Sequence, residues 1–311
     1  MAATAVRARG LTKRFGDVIA LDGIDLDIAA GQVHGLVGPN GAGKTTLIGL
    51  ALGLSRPTSG SLEVLGRAVA PAVGVSESVA GFVDGPGLYP TLSARQNLAW
   101  LAALRPNRDD HDVDELLDRV GLTDVAGDAV RGFSLGMRQR LGLAAALLGD
   151  PRLLVVDEPS NGLDPAGKRQ VHRVLTDLAN DGATVVLSSH RMDDLATLCD
   201  EVTLLAGGRV VFTGPIHKLA AESGELDYQL VTSDPQAARQ QAEGIPALRV
   251  LVGRGASALD ERAVVVRGPE AALDELVARL VTDGVAIREL GPVVPPLEAA
   301  FLALTGAQES G

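Results

Sequence analysis

The sequence predicts an α/β fold built on a parallel β-sheet, followed by a smaller C-terminal α/β domain. Strand patterns alternate with helix patterns over residues 32–188, and this order is typical of a parallel sheet with helical crossovers. A glycine-rich turn, Gly38–Gly43, joins a short apolar strand to a helix. The chain has 311 residues. Because a domain usually has about 150 residues, this length predicts two domains.

Composition limits the classes of function. Hydrophobic residues make up 46% of the chain, which is enough to bury a core and argues against wholesale disorder. The 28 Lys and Arg residues against 39 Asp and Glu give a net charge of −11, so we expect no nucleic-acid partner. No stretch reaches the roughly 18 apolar residues of a membrane span, and we expect no signal peptide. The single cysteine, Cys199, cannot form an internal disulfide, which favours the reducing cytosol.

Elements of the first domain follow from apolar spacing and helix caps. Ile24, Leu26 and Ile28 alternate with acidic residues, the period of a half-buried strand. Ser93 and Gln96 match a capping box that begins a helix. In chain order the predicted elements begin with strands within 1–35, strand 32–37, helix 45–54 and strands 61–65 and 80–83. A mostly helical segment, 86–149, follows, with helices from Ser93 to Leu104, from Asp112 to Gly121 and over 135–148. The last predicted elements are strand 153–157, a helix that has Asp164 as N-cap and Pro165 at its first position and ends at Gly182, strand 184–188, and helix 192–199.

The residue pattern of the C-terminal part predicts the element order βαββαβ, which is the order of a ferredoxin-like domain. We expect a boundary near Ser223-Gly224, so that the first domain spans residues 1–222 and the second 223–311. The predicted elements are strand 226–232, helix 235–243, strand 247–252, strand 262–267, helix 269–282, strand 285–290 and helix 296–304.

A phosphate-binding loop is predicted where strand 32–37 ends, in the run Gly38-Pro39-Asn40-Gly41-Ala42-Gly43-Lys44-Thr45. Backbone N–H groups of such a turn point inward and bind phosphate oxygens, assisted by the N-terminus of the next helix. Lys44 is expected to reach the β- and γ-phosphates, and Thr45 to ligate Mg²⁺.

Two adjacent carboxylates, Asp157 and Glu158, follow the apolar strand 153–157. An apolar strand ending in acidic residues is by itself ordinary. Beside a phosphate loop, Asp157 is expected to hold Mg²⁺ through water, and Glu158 to orient or deprotonate an attacking water.

These motifs and several others, in this order, resemble the ATP-binding subunits of ABC transporters over residues 1–222. The run Phe133-Ser134-Leu135-Gly136-Met137 is similar to the family signature Leu-Ser-Gly-Gly-Gln, with Ser134 and Gly136 matching. Asn161-Gly-Leu-Asp164 resembles the D-loop, and His190 the switch histidine that contacts the γ-phosphate. Phe15 resembles the aromatic residue that stacks on adenine, although a single Phe more often lies in a core.

Asp84 departs from the family, which has Gln, or Glu in the drug-export branch, after strand 80–83. The resemblance implies that Asp84 contacts Mg²⁺ together with Thr45 and Asp157, although Asp has a shorter side chain than Gln or Glu. The stretch Gly85-Pro-Gly-Leu-Tyr-Pro90 still resembles the drug-export branch.

The resemblance implies a P-loop NTPase fold with antiparallel β and helical subdomains, and an ATPase that uses ATP and Mg²⁺. The nucleotide-binding residues it implies are Phe15, Gly38 through Thr46, Ser134 and Gly136, with Thr46 following the motif. In the family each ATP lies between one subunit's phosphate loop and the other's signature, so Ser134 and Gly136 are expected to act in trans within a dimer. The chain is then expected at the cytoplasmic face of the membrane, driving a separate permease of the drug and antibiotic exporter type.

Two other functions stay open at this point. One is a regulatory ABC ATPase that binds the ribosome or DNA without a permease, against which the charge of −11 and the single cassette count. The other is an importer subunit. Importers with a C-terminal extension often carry an all-β one, whereas residues 225–311 predict mixed α/β structure.

Overall fold

A computed structural model describes residues 3–69, 78–104, 113–221, 225–251 and 263–306. The chain forms two compact units, Met1–Ile216 and His217–Gly311. The predicted cap Asp112 and the predicted boundary Ser223-Gly224 lie outside the described residues. Within the described ranges, no helix has the length and apolar character needed to cross a bilayer.

Besides two short 3₁₀ helices, Thr123–Val125 and Val130–Gly132, the described residues form ten α-helices and fourteen strands. In chain order they are β1 Thr4–Phe15, β2 Val18–Ala29, β3 Val33–Val37, α1 Lys44–Ala51, β4 Ser59–Val64, β5 Arg67–Ala68, β6 Val79–Phe82, α2 Ala94–Ala103, α3 Val113–Arg119, α4 Leu135–Leu147, β7 Leu153–Val156, α5 Pro165–Asn180, β8 Thr184–Ser188, α6 Met192–Leu198, β9 Glu201–Ala206, β10 Arg209–Pro215, α7 Ile216–Ala221, β11 Asp227–Thr232, α8 Pro235–Glu243, β12 Arg249–Leu251, β13 Ala263–Arg267, α9 Glu270–Thr282, β14 Ile287–Pro292 and α10 Pro296–Thr305.

The first unit is organised around a six-stranded sheet in the order β10-β9-β3-β8-β7-β6. All neighbours are parallel except β10, which pairs antiparallel with β9. Every residue of β3, β7 and β8 is buried, because both faces of a parallel sheet are covered. The predicted parallel sheet is therefore confirmed, and the carboxyl ends of β3, β6, β7 and β8 emerge at one edge.

A second sheet, in the order β2-β1-β4-β5, is antiparallel. Its apolar face packs with α1 and with β3 into one aliphatic core, in which Leu11, Ile24, Ile28, Leu36 and Ile48 are fully buried. This core fixes α1, and with it the loop that precedes α1.

The helical segment of the first unit begins as the sequence predicts. Ser93 accepts a hydrogen bond from the backbone N–H of Gln96, and the Gln96 side chain accepts one from the Ser93 N–H, which completes the capping box. At α5, Asp164 is the N-cap and Pro165 the first helical residue, also as predicted.

Two features of the first unit differ from the prediction. The helix predicted over 45–54 ends at Ala51, because Gly53 takes φ = 70° and its N–H turns back to the Leu50 carbonyl at 3.0 Å. The hairpin of β9 and β10 was not predicted. Its turn, Gly207-Gly208, has positive φ at both residues, and this pair is the signal that sequence reasoning missed.

The second unit has the predicted βαββαβ order, with a sheet ordered β12-β13-β11-β14 and every neighbouring pair antiparallel. Its core is formed by apolar side chains of the sheet and of α8 and α9, among them Leu230, Val264 and Leu276. Strand 285–290 was predicted two residues too early. The Val285 N–H still bonds to the Leu280 carbonyl at the end of α9, at 2.9 Å, so pairing begins at Ile287.

Candidate functional site

The loop between β3 and α1 has the geometry of a phosphate cradle. Gly43 takes φ = 104°, and a Cβ there would lie 2.6 Å from the Ala20 carbonyl oxygen. Gly38 is equally confined, since its Cβ would lie 2.3 Å from the Leu205 carbonyl oxygen. Both glycines are thus required by the close packing of the loop. The loop opens directly onto the N-terminus of α1 at Lys44, where unpaired backbone N–H groups favour an anion.

Lys44 is 7% exposed and lies over this loop. Its Nζ donates to the Gly38 carbonyl at 2.7 Å and the Pro39 carbonyl at 3.2 Å. Burial lowers the pKa of Lys44, while the nearby carboxylates of Glu158 and Asp157 raise it. The amine is therefore held against the loop by two of its backbone carbonyls.

Thr45 and Asp157 meet beneath the loop. The Thr45 hydroxyl donates to Asp157 Oδ2 at 2.8 Å, and the buried Asp157 carboxylate also accepts from the Ser188 hydroxyl. Hard oxygen ligands such as these suit Mg²⁺, which usually takes one or two protein ligands and completes its shell with water and phosphate. The residues present fit Mg²⁺.

Glu158 faces His190 across the end of the sheet. His190 Nδ1 lies 2.8 Å from Glu158 Oε2. Glu158 has φ = 49°, a left-handed conformation that is costly for a residue with a side chain and is often found at functional sites. Its backbone N–H donates to the Ser188 hydroxyl at 2.9 Å. With Nδ1 protonated, His190 donates to the Glu158 carboxylate and orients it.

An open cavity of about 450 Å³ lies over the loop, Thr45, Asp157 and Glu158, and His190 stands beside its lining rather than in it. Its lining consists of Phe15, Val18, Ile19, Ala20, Asn40, Gly41, Ala42, Gly43, Lys44, Thr45, Thr46, Asp84, Asp157 and Glu158. One end is apolar and the other is polar and charged, as a nucleotide requires for its base and its phosphates. The phosphate loop, the Thr45–Asp157 pair and Glu158 therefore share one cavity.

Phe15 lies at the apolar end of the cavity and is 55% exposed. The Lys13 ammonium lies 4.7 Å from the centre of its ring, within the range of a cation–π contact. The ring is therefore a surface side chain, and the alternative of a core phenylalanine is wrong.

Asp84 lines the opposite, polar part of the cavity, at the end of β6. It takes φ = 56°, so both Asp84 and Glu158 project from left-handed backbone at the ends of neighbouring parallel strands.

Three predicted residues lie elsewhere in the first unit. Ser134 is the N-cap of α4, with its hydroxyl accepting from the Met137 N–H at 3.2 Å, and Gly136 lies in the first turn of that helix. Asp164 caps α5 through the Gly167 N–H at 3.0 Å. Of the residues that the structure describes, the cavity lining includes none of these three.

Sequence reasoning missed Ser188. This residue ends β8, bonds to the Asp157 side chain and accepts from the Glu158 backbone. A usable signal existed, because a polar residue at the carboxyl end of β8 must lie beside the carboxyl end of β7 once the two strands are parallel neighbours. Cys199 is buried as predicted, and burial raises the pKa of its thiol to about 12.

The chain is similar to known ATP-binding proteins of ABC transporters. Residues 21–161 match a family model described as ABC transporter. The chain is 36% identical to a daunorubicin resistance ATP-binding protein of Streptomyces coeruleorubidus over 98% of its own length and 97% of the relative's. It is 36% identical to a bacitracin transport ATP-binding protein of Bacillus licheniformis, covering 73% of this chain and 75% of that one. A solved ATP-binding subunit of an ABC transporter is 26% identical with a TM-score of 0.64, over 71% of this chain and 94% of that one.

Proposed function

This chain belongs to the family of ABC transporter ATP-binding proteins, and we propose that it powers the efflux of a drug or antibiotic through a separate membrane permease. ATP binding and hydrolysis are the activities of the family. The names of both curated relatives, one for daunorubicin resistance and one for bacitracin transport, support the substrate class. The mixed α/β second unit counts against the importer alternative, for which an all-β extension was expected.

The observation that carries the proposal is the convergence of Thr45, Asp157, Glu158 and His190 at one edge of the parallel sheet. We assign phosphate binding to the loop N–H groups and Lys44. Thr45 and Asp157 would hold Mg²⁺, which when bound neutralises charge on the phosphates.

Glu158 is the residue we assign to the attacking water. Its Oε2 lies 2.8 Å from His190 Nδ1, so the carboxylate is held in one orientation beside the cavity. A carboxylate so placed accepts a proton from water as the water attacks the γ-phosphate. We assign His190, which is half exposed, to contact with the γ-phosphate, as the family resemblance implies.

We further propose that two copies, or this chain and a paired ATPase subunit, close over the nucleotide. Ser134 and Gly136 lie outside the cavity of their own chain, so each would complete the site of a partner. Leu135 between them is 51% exposed, and an exposed leucine at a helix start is available for such an interface.

The permease is proposed to dock on the helical segment, at the cytoplasmic face of the membrane. Tyr89 and Trp100 are 56% and 61% exposed there, and the loop that leads to Tyr89 begins at Asp84. Exposed aromatic side chains are enriched in protein interfaces. This arrangement would connect the cavity with the permease over a few residues of chain.

Substitution of Glu158 by Gln tests the hydrolytic assignment. The variant keeps the shape of the side chain and loses the base, so ATP should bind while turnover falls by about a hundredfold or more. Phosphate release measures turnover, and size-exclusion chromatography with ATP should show a dimer. Glu243→Gln, at an exposed position on α8, is the matched control and should keep wild-type turnover. Wild-type turnover in Glu158→Gln would contradict the assignment.

Efflux is tested separately, in inside-out vesicles that carry the chain with its permease. Daunorubicin fluorescence should fall on addition of ATP to the wild-type vesicles and stay constant with Glu158→Gln. If neither vesicle responds while ATP turnover is normal, the drug class is wrong and the ATPase assignment stands.

A further inference from the structure

A buried ion pair joins α5 to α6 in the first unit. Asp194 lies in the first turn of α6, and its side chain is 3% exposed. Its Oδ1 forms an ion pair with Lys168 Nζ of α5 and lies 3.4 Å from His172 Nε2. Arg191 Nε lies 3.6 Å from Oδ2. Because a carboxylate excluded from water is costly without partners, the Lys168 and Arg191 cations hold Asp194 in place, while burial lowers the pKa of His172.

The ion pair closes a ring that includes the hydrolytic pair. Chain segments run from Glu158 through the cap of α5 to Lys168, and from His190 into α6 to Asp194. His190 Nδ1 and Glu158 Oε2 join the two segments at the cavity, 2.8 Å apart. Lys168 and Asp194 join them again on the far side. The two segments therefore cannot shift relative to each other without breaking one of these contacts.

The backbone around His190 is held by its neighbours, since the Ser189 N–H donates to the Leu36 carbonyl at 3.2 Å and the Arg191 N–H donates to Ser189 Oγ at 3.0 Å. The side chain of His190 is less constrained. It is 50% exposed, so packing leaves the ring free to rotate. Helix α6 has seven residues, and its N-cap, Arg191, makes no capping side-chain hydrogen bond within the described ranges. A short helix without a cap depends on tertiary contacts for its position. Asp194 supplies such a contact one helical turn after His190.

The geometry points to Asp194, held by Lys168, as a positioning residue that keeps His190 against Glu158 during ATP hydrolysis. This inference rests on the roles proposed above for Glu158 and His190. A purely structural ion pair would predict a different outcome, namely lower stability with no specific dependence on His190.

The test is a double-mutant cycle that combines Asp194→Asn with His190→Ala. The release of radiolabelled phosphate measures kcat for each variant. Asp194→Asn should lower kcat by about tenfold, since a displacement of about 1 Å can cost more than that, and should change KM for ATP less than about twofold. In the His190→Ala background the same substitution should lower kcat by less than about twofold, because the residue it positions is gone. Lys168→Met should reproduce the effect of Asp194→Asn, and Lys168→Arg should restore most of the activity.

Asp27→Asn is the matched control, since Asp27 also pairs with two cations, Arg7 and Arg9, but is half exposed and does not line the cavity within the described residues. It should leave kcat unchanged. Thermal unfolding checks that each variant is folded, and a variant that does not fold is replaced by its Lys168 counterpart. Equal losses in both backgrounds would overturn the positioning role and leave the function intact. An unchanged kcat in His190→Ala would overturn the role of His190, and the inference with it.

Discussion

Both units of this chain contain a β-sheet, but the two sheets differ in where the carboxyl ends of neighbouring strands lie. In the first unit β3, β7 and β8 are parallel, so the residues that follow them meet at one edge. In the second unit β11 and β13 are neighbouring but antiparallel strands, so the residues that follow them lie at opposite edges. There Asp234, after β11, serves as the cap of α8 through two backbone N–H groups. A polar residue that follows a buried strand can thus join a shared site when neighbouring strands end beside it.

The largest loss of nucleotide binding is expected at Lys44. Lys44→Ala removes the ammonium group from the phosphate loop, so ATP affinity or turnover should fall at least about tenfold, equivalent to about 1.4 kcal/mol. Nucleotide binding and phosphate release measure the two quantities. Lys218→Ala, at an exposed position, is the control. Near wild-type values in Lys44→Ala would contradict the difference drawn between the two units, because the residues that follow β3 would then have no role in ATP binding or hydrolysis.

A core substitution in the second unit tests the other side of the comparison. Leu276 is fully buried in α9, so Leu276→Ala should lower the unfolding free energy of that unit by about 2–5 kcal/mol. ATP turnover should stay at the wild-type level at temperatures where the unit is folded. Val281→Ala on the same helix removes a side chain that is 64% exposed and should cost little. Calorimetry and phosphate release measure the two effects; a loss of turnover that follows unfolding of this unit would show that it contributes to hydrolysis.

A smaller effect is expected at Asp84, which lines the cavity from the end of β6. Asp is shorter than Glu by one methylene, about 1.5 Å, and a bridging water at a cost of about 0–2 kcal/mol would complete its reach. Asp84→Glu should preserve or raise basal ATPase activity. Asp84→Asn keeps a residue that tolerates positive φ and should lower the activity several-fold with the permease present.

Asp177→Ala, an exposed acidic position on α5, serves as the control for Asp84. No change in Asp84→Asn would mean that Asp84 is a loop residue and that its alignment with the family was wrong.

Local patterns account for most of what the sequence could predict. The phosphate loop, the capping box at Ser93 and the cap at Asp164 each depend on residues a few positions apart, and the structure has all three. Ser188 was missed because its partners, Asp157 and Glu158, are about thirty positions away and reach it only through strand pairing. The Lys168–Asp194 contact was missed for the same reason, since nothing local tells which lysine a buried aspartate will meet.

The buried cysteine has a practical consequence for the proposed closure of two copies. Cys199 is 7% exposed and burial raises the pKa of its thiol to about 12, so at neutral pH it stays protonated and shielded from alkylating reagents. The wild-type chain, which has one cysteine, therefore offers a silent background for thiol labelling. A single cysteine introduced at Leu135 would carry a spin label or fluorophore alone. The distance between two such labels could then report directly on opening and closing during the ATP cycle.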